Sequence, residues 1–429
     1  MSNGILNLGC ASNIIDVPLF TELYGYGPFL GRRNRGVRDP LYCRVASFSD
    51  GNKRLIFIAN DLVTMDADAA WEIRGELVKR LKIDSSGIMV SGSHTHSGPT
   101  VSPGIGWGEL DLNFRNNWIK TAIDTAVKAV SDESKVILKA GKSVLKKTLG
   151  YNRVQKDGPT DPDIRWIKCL PPDGTVKLLI HNHGMHGVVF GKEMLLVSAD
   201  WIGAANKLIL DKKLAENVLF LYGAAGNINT NPCCLNLEKG ETELKRISES
   251  YTDDLKNGLS NETEISSCPM NAVIKQVKLP CEDYAPDKIS GIIDVLRKTN
   301  TRLYMLQRLE EMLLYVKAGN KLDVVADLQV LRMGDLYFYA FPGEPFTELA
   351  REIEKRSPGK FPVSIAVANG NCRYFPTRKT FDENSDITQP KTGFGFYEIY
   401  QGCGRFMPPY KPDIAEFLID KFMEIAAKL

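Results

Sequence analysis

The chain has 429 residues, with 54 basic against 52 acidic side chains and a net charge of +2. A balance so close to neutral excludes a protein held to nucleic acid or to a membrane surface by bulk electrostatics, and leaves a small molecule as the expected partner. The length suits one large α/β unit, expected to form a single catalytic domain over residues 1–429.

In chain order, the start MSNGILNLGCASNIID has neither the basic n-region nor the unbroken apolar core of a secretory signal. RLIFIAN (54–60) reads as a strand, and the 3.6-residue apolar spacing of 66–83 reads as the helix after it. GIMVSGS (87–93) is a second strand and NWIKTAIDTAVKAV (117–130) a second helix. Strands follow at 135–148 and 176–182, then a helix near 201–213 and a strand in NVLFLYGAA (217–225). The polar stretch 236–263 predicts a solvated helix and loop, and 286–318 a long, charge-laced helical segment. DLQVLRMGDLYFYAFPGE predicts two strands joined by a Gly-Asp turn, and PDIAEFLIDKFMEIAAKL a closing helix. No apolar run reaches the roughly eighteen residues of a membrane span. Nine cysteines, with only Cys233 and Cys234 close together, form neither CxxC pairs nor a disulfide framework. The expectation is a cytoplasmic protein with no integral membrane segment; its oligomeric state is not written in the sequence.

The five histidines fall in two tight groups, each at the end of an apolar run. VSGSHTHSGPT holds His94 and His96, and LLIHNHGMHGVV holds His181, His183 and His186. If the strand 87–93 persists through them, His94 and His96 point to one face, and two same-side imidazoles are the start of a zinc site. The second group could supply a further ligand across the sheet. Strand ends at the carboxyl edge are where α/β sheets place their sites.

SHTHSGP is also where the chain begins to resemble the neutral ceramidases, zinc-dependent amidases that hydrolyse the N-acyl bond of ceramide. Further motifs of that family recur in order. They are YNRV at Asn152 and Arg153, His186 fourteen residues before Asp200 in VSADWIGAAN, GNINTNP at 226–232, FPGEPFTELAREIEKR at 341–356, RYFPTRKTF at 373–381 and FYE at 396–398. The resemblance implies a mixed-sheet α/β catalytic domain with flanking helices, in a divergent member of the family. It implies that zinc is held by His94, His186, Glu344 and Tyr374, with His96 and Arg153 as substrate and transition-state groups and Tyr397 a further catalytic hydroxyl beside the zinc. A metal-activated water would be the nucleophile, and Asp200 would orient His186 or another ligand.

Two departures shape the expected function. Where the family's loop carries a serine, this chain has Asn229 followed by Thr230, here read as substrate-binding; an amide side chain cannot attack a carbonyl, so a covalent acyl-enzyme at 229 is excluded. The signal peptide and C-terminal immunoglobulin-like domain of secreted members are not expected here. The reading is therefore a zinc-dependent amidohydrolase for a small, polar or anionic acylated substrate. The arginines of GRRNRGVRDP could bind an anion. The alternatives are zinc-dependent acyl transfer or cyclisation, and a non-catalytic ligand-binding relative.

Overall fold

The structure, a computed structural model, describes residues 4–299, 303–384, 386–388, 393–402 and 404–429. The first half contributes strands β1 (Leu6–Ile15), β2 (Leu41–Ser49), β3 (Arg54–Asn60), β4 (Ile88–Gly92), β5 (Glu133–Val144), β6 (Gly150–Asn152), β7 (Asp163–Leu170), β8 (Leu178–His183) and β9 (Asn217–Tyr222). The second half adds β10 (Ile228–Thr230), β11 (Thr263–Glu264), β12 (Met270–Lys278), β13 (Val325–Met333), β14 (Leu336–Ala340), β15 (Glu344–Pro345), β16 (Phe361–Ile365) and β17 (Tyr374–Phe375).

A large mixed sheet runs β4-β3-β2-β1-β5-β7-β8-β9, with β11 added beside β5, and a smaller one runs β12-β13-β14-β16. Period-2 alternation sends each strand's apolar residues to two different cores. In β3, Leu55 and Phe57 meet Phe338 and Ile365 of the smaller sheet, whereas Ile56 and Ile58 join the helices Ala67–Leu81, Leu112–Ser131 and Asp200–Asp211. In the smaller sheet Leu331 and Phe338 face the large one, while Val330 and Tyr339 pack with the helices Pro286–Lys298, Leu303–Lys317, Thr347–Arg356 and Ile414–Ala426. The result is four layers, helix on sheet on sheet on helix, a mixed-sheet α/β architecture with flanking helices as expected. The outer helices sit tight on the large sheet: a Cβ on Gly9 of β1 would stand 1.7 Å from the Ala129 carbonyl oxygen.

Phe57 is fully buried between the sheets, edge-on to Phe338 at 4.9 Å and to Phe48 at 5.9 Å. Phe57→Ala is expected to cost about 3–5 kcal/mol of unfolding free energy, read by urea titration. A loss below about 1 kcal/mol would contradict this two-sheet core.

Two segments differ from their sequence reading. The stretch 236–263 forms one long helix, Leu237–Gly258, whose Leu244, Ile247, Tyr251 and Leu255 are buried in the helix-side core, so it is a packed amphipathic element. The segment 286–318 is two helices. Strands β1, β2, β7 and β12 were not anticipated. Among the described residues no helix is long and apolar enough to cross a membrane.

The two outermost strands of the large sheet, β4 and β9, are bridged by the chain leaving β16. Ala366 N–H donates to the Tyr222 carbonyl at 2.8 Å, Val367 accepts from Gly92 N–H at 3.1 Å, and Asn369 N–H donates to Val90 at 2.7 Å. The loops that follow β4, β8, β9 and β14 all leave from this junction.

Candidate metal centre

The strand carrying the first histidine pair stops at Gly92, so alternation along a strand does not bring His94 and His96 together. Ser93 and His94 instead fold back, their N–H groups donating to Asn60 and Leu62 carbonyls at 2.8 and 2.9 Å, and His94 adopts φ 64°. A left-handed histidine costs about 1–3 kcal/mol and persists only where its surroundings hold it. Here Thr95 pairs with Gly187, and His96 N–H donates to the Gly187 carbonyl at 3.1 Å. Because Gly187 follows His186, this bridge fastens the two histidine loops to each other.

The imidazoles of His94, His96 and His186 converge, with one ring nitrogen from each within 4.8 Å of the others. Nδ1 of His186 lies 2.9 Å from the Ile228 carbonyl, and Nδ1 of His94 makes a short contact with the Val63 carbonyl. A carbonyl only accepts, so both Nδ1 atoms carry the proton and both Nε2 atoms present lone pairs. Those lone pairs face one carboxylate oxygen: Glu344 Oε2 is 3.1 Å from His94 Nε2 and 3.4 Å from His186 Nε2. Oε2 is buried and finds no hydrogen-bond donor among the described residues. Three acceptors around a buried point with no proton between them is an arrangement that a cation relieves, and a main-chain carbonyl behind each ring is the usual support of a metal-ligating histidine. The residues fit a divalent metal.

Electrostatics agree. Burial, reinforced by the Arg153 charge, pushes His186 down to about 3, and burial with the two other imidazoles holds His96 well below its ordinary value. Burial pushes the Glu344 carboxyl up, but His94 and His186 pull it further the other way, and it lies well below the usual carboxylate range. His96 and His186 are therefore disfavoured as cations, and Glu344 is a carboxylate anion.

Glu344 is delivered by backbone pairing. Strand β15 pairs in parallel with β17, and the residue opposite Glu344 is Tyr374. Gly226 makes the junction possible, since a Cβ there would stand 2.5 Å from the Glu344 carbonyl oxygen. The Tyr374 ring lies 5.3 Å from the Arg153 guanidinium and 5.7 Å from the Tyr397 ring. Tyr397 opens a π-helical turn, Tyr397–Gln401, a distortion that recurs at functional sites. The four residues named as ligands by resemblance thus come to one place from two loops, after β4 and β8, and two short paired strands, β15 and β17.

Arg153 leaves β6 and is fixed from two sides: Nε donates to Glu398 at 3.0 Å and Nη1 to Asn229 Oδ1 at 3.0 Å, while Nη1 stands 3.4 Å from His186 Nε2. Its Nη2 is buried without a hydrogen-bond partner among the described residues. Asn229 is therefore a prop for Arg153. Neither Asn229 nor Thr230 is among the residues that line the adjoining cavity, and the Thr230 hydroxyl is buried on β10 without a partner among the described residues. Strand alternation sends the two side chains to opposite faces.

That cavity, about 290 Å³, is lined by His94, His96, Glu344, Tyr374 and Tyr397, with Tyr24, Trp107 and Tyr304 as an aromatic wall. The Tyr24 and Trp107 rings stack at 5.3 Å, and Tyr304 stands edge-on to Trp107 at 6.1 Å.

Other expectations are corrected. Asp200 does not touch an imidazole: its carboxylate accepts from Val189, Phe190 and Trp201 N–H groups and so shapes the loop after His186, while Trp201 Nε1 donates to the His186 carbonyl at 2.9 Å. His181 and His183 point away into the helix-side layer, His181 between Tyr251 and Asn206 and His183 against the Asp163 carbonyl. In the arginine loop, Arg32 is buried against four main-chain carbonyls, and Arg33 and Arg38 pair with Glu109 and Glu241, so these three are occupied by the protein itself. Glu398, the charge partner of Arg153, and Tyr222, stacked on His94 at 5.0 Å, were missed. FYE contained Glu398, but nothing local marks it as a partner of a residue 245 positions away.

No family model matches the sequence. In fold, the chain is similar to the crystal structure of neutral ceramidase from Pseudomonas aeruginosa, with a TM-score of 0.76 over 98% of this chain and 74% of that one at 14% identity. A ceramidase structure complexed with C2 is similar to the same extent, with a TM-score of 0.75 at 14% identity. The likeness that the motifs indicated is present at the level of the fold.

Proposed function

We propose, from the ceramidase fold and the donor set it carries, that the protein is a zinc-dependent hydrolase cleaving the N-acyl bond of a small acylated substrate, with residues 1–429 as one catalytic domain. The observation that carries this reading is the meeting of the Nε2 atoms of His94 and His186 on one oxygen of Glu344, with each ring's Nδ1 turned to a main-chain carbonyl. His94, His186 and Glu344 would hold the ion, with the phenol of Tyr374, paired to Glu344, as fourth donor. Nitrogen and oxygen donors of this kind suit zinc. When bound, zinc supplies a Lewis acid that polarises an acyl carbonyl and lowers the pKa of a water.

The chain's own groups do the rest. Arg153 is a buried, pre-oriented cation with an uncommitted Nη2, suited to stabilise negative charge developing on the acyl oxygen. His96, held neutral at the cavity wall, donates a hydrogen bond to the same oxygen, and the Tyr397 hydroxyl orients the amide. A cavity of about 290 Å³ is near the lower end of the roughly 300–1,000 Å³ usual for ligand sites, which favours a small substrate.

A distance favours a second donor set. His96 Nε2 lies 3.2 Å from His94 Nε2, so His96 could replace Tyr374 as a ligand. The test is metal analysis of the purified protein beside hydrolysis of a panel of N-acyl amines. We expect one zinc per chain and release of free acid. His96→Ala should keep the zinc and Tyr374→Phe should weaken it; the reverse pattern identifies the three-imidazole set. A zinc-loaded protein inert to the whole panel would refute the hydrolase reading.

A further inference from the structure

Beyond the metal centre, the adjacent cysteines 233 and 234 are unused by the chemistry above. Cys234 is exposed and pinned by its N–H to the Val188 carbonyl at 2.8 Å, with φ 57°. Cys233 is half-buried, and two polar groups converge on its sulfur, the Tyr151 hydroxyl at 3.6 Å and Asn229 Nδ2 at 3.9 Å, with the Cys234 thiol adjacent in the chain. Sulfur accepts hydrogen bonds at such longer distances, and the positive charge of Arg153 acts from beyond Asn229.

Hydrogen-bond donors and a cation around one sulfur are the surroundings that favour a thiolate. The Cys234 hydrogen bond leads, followed by those of Tyr151 and Asn229, and against burial they bring the Cys233 thiol down to about 6. Cys234, the donor, moves up. Burial pushes Cys10, Cys43 and Cys372 up to about 12, which makes them poor competitors at neutral pH.

We propose that Cys233 is a modification site, a nucleophilic sulfur that hydroperoxides oxidise, with Cys234 as its resolving partner. In the first step the Cys233 thiolate attacks the terminal oxygen of the hydroperoxide; the S–O bond forms, the O–O bond breaks, and hydroxide leaves from hydrogen peroxide or an alkoxide from an organic hydroperoxide. The sulfur is oxidised by two electrons to the sulfenic acid and the peroxide is reduced by two. In the second, the Cys234 sulfur displaces the hydroxyl, the S–S bond forms, and the Cys234 proton leaves with that hydroxyl as water.

The test treats the full-length protein at pH 7 with less than one equivalent of hydrogen peroxide and follows every cysteine by peptide mass spectrometry. The expected first product is a peptide lighter by two hydrogens that contains Cys233 and Cys234. In Cys234→Ser, whose hydroxyl still donates to the sulfur, the oxidation should stop at a sulfenic acid that a cyclic 1,3-diketone traps. Tyr151→Phe should shift the pH profile of iodoacetamide labelling of Cys233 upward and slow the labelling below its midpoint. Modification of another cysteine first, or labelling of Cys233 at the same rate with and without Tyr151, would overturn the proposal.

Discussion

Replacing His94 by alanine is expected to remove bound zinc and amide hydrolysis together. The imidazole sits 3.1 Å from Glu344, its Nδ1 is engaged by Val63, and Tyr222 stacks on its face, so the ring is held in place for the ion. Lewis-acid stabilisation amounts to several kcal/mol and each 1.36 kcal/mol is tenfold in rate, so the activity should fall roughly a thousandfold or more. His94→Ala also leaves Glu344 with one fewer neighbour, and circular dichroism with a urea midpoint establishes that the fold persists. A His94→Ala protein that keeps a zinc equivalent and full activity would remove His94 from the site.

Arg153→Ala should lower kcat about 10²–10³-fold, the usual effect of losing one preorganised donor to a developing oxyanion, with zinc content unchanged. The substitution also strands Glu398, a fully buried carboxylate 3.0 Å from the guanidinium, and breaking a buried pair from one side costs about 3–5 kcal/mol. The two effects separate in the double variant Arg153→Met with Glu398→Gln. Neutralising both partners should restore most of the stability and none of the rate. If the double variant recovers activity along with stability, Arg153 serves only to hold the structure.

Much of this site is legible in the sequence, for a chemical reason. Histidine is rare in this chain, and its confinement to two strand ends marks the centre on its own; the motif order then adds Glu344, Tyr374, Arg153 and Tyr397. The route by which His94 and His96 converge is hidden, because it depends on a left-handed residue and on Gly187 in a distant loop. Asn229 and Glu398 acquire their meaning only from Arg153, and no local pattern encodes a partner 76 or 245 positions away. In the fold, β3, β4, β8 and β9 announce themselves as apolar runs, whereas β1 places Cys10, Ser12 and Asn13 among its apolar positions and so conceals its alternation. The helix Leu237–Gly258 is masked in the opposite way. Its buried face, Leu244, Ile247, Tyr251 and Leu255, follows a helical period, but the surrounding charge makes the whole stretch read as solvated.

Glu344 and Tyr374 follow strands of the smaller sheet, and His94 and His186 follow strands of the larger. An ion shared among them is consequently a rivet through the two halves of the sandwich. Its affinity is drawn from the docked state alone, since either half by itself offers an incomplete ligand set, and by mass action every decade of free ion beyond Kd adds about 1.4 kcal/mol to the clamp. A chelator would therefore loosen the seam between the sheets before it disturbed either sheet.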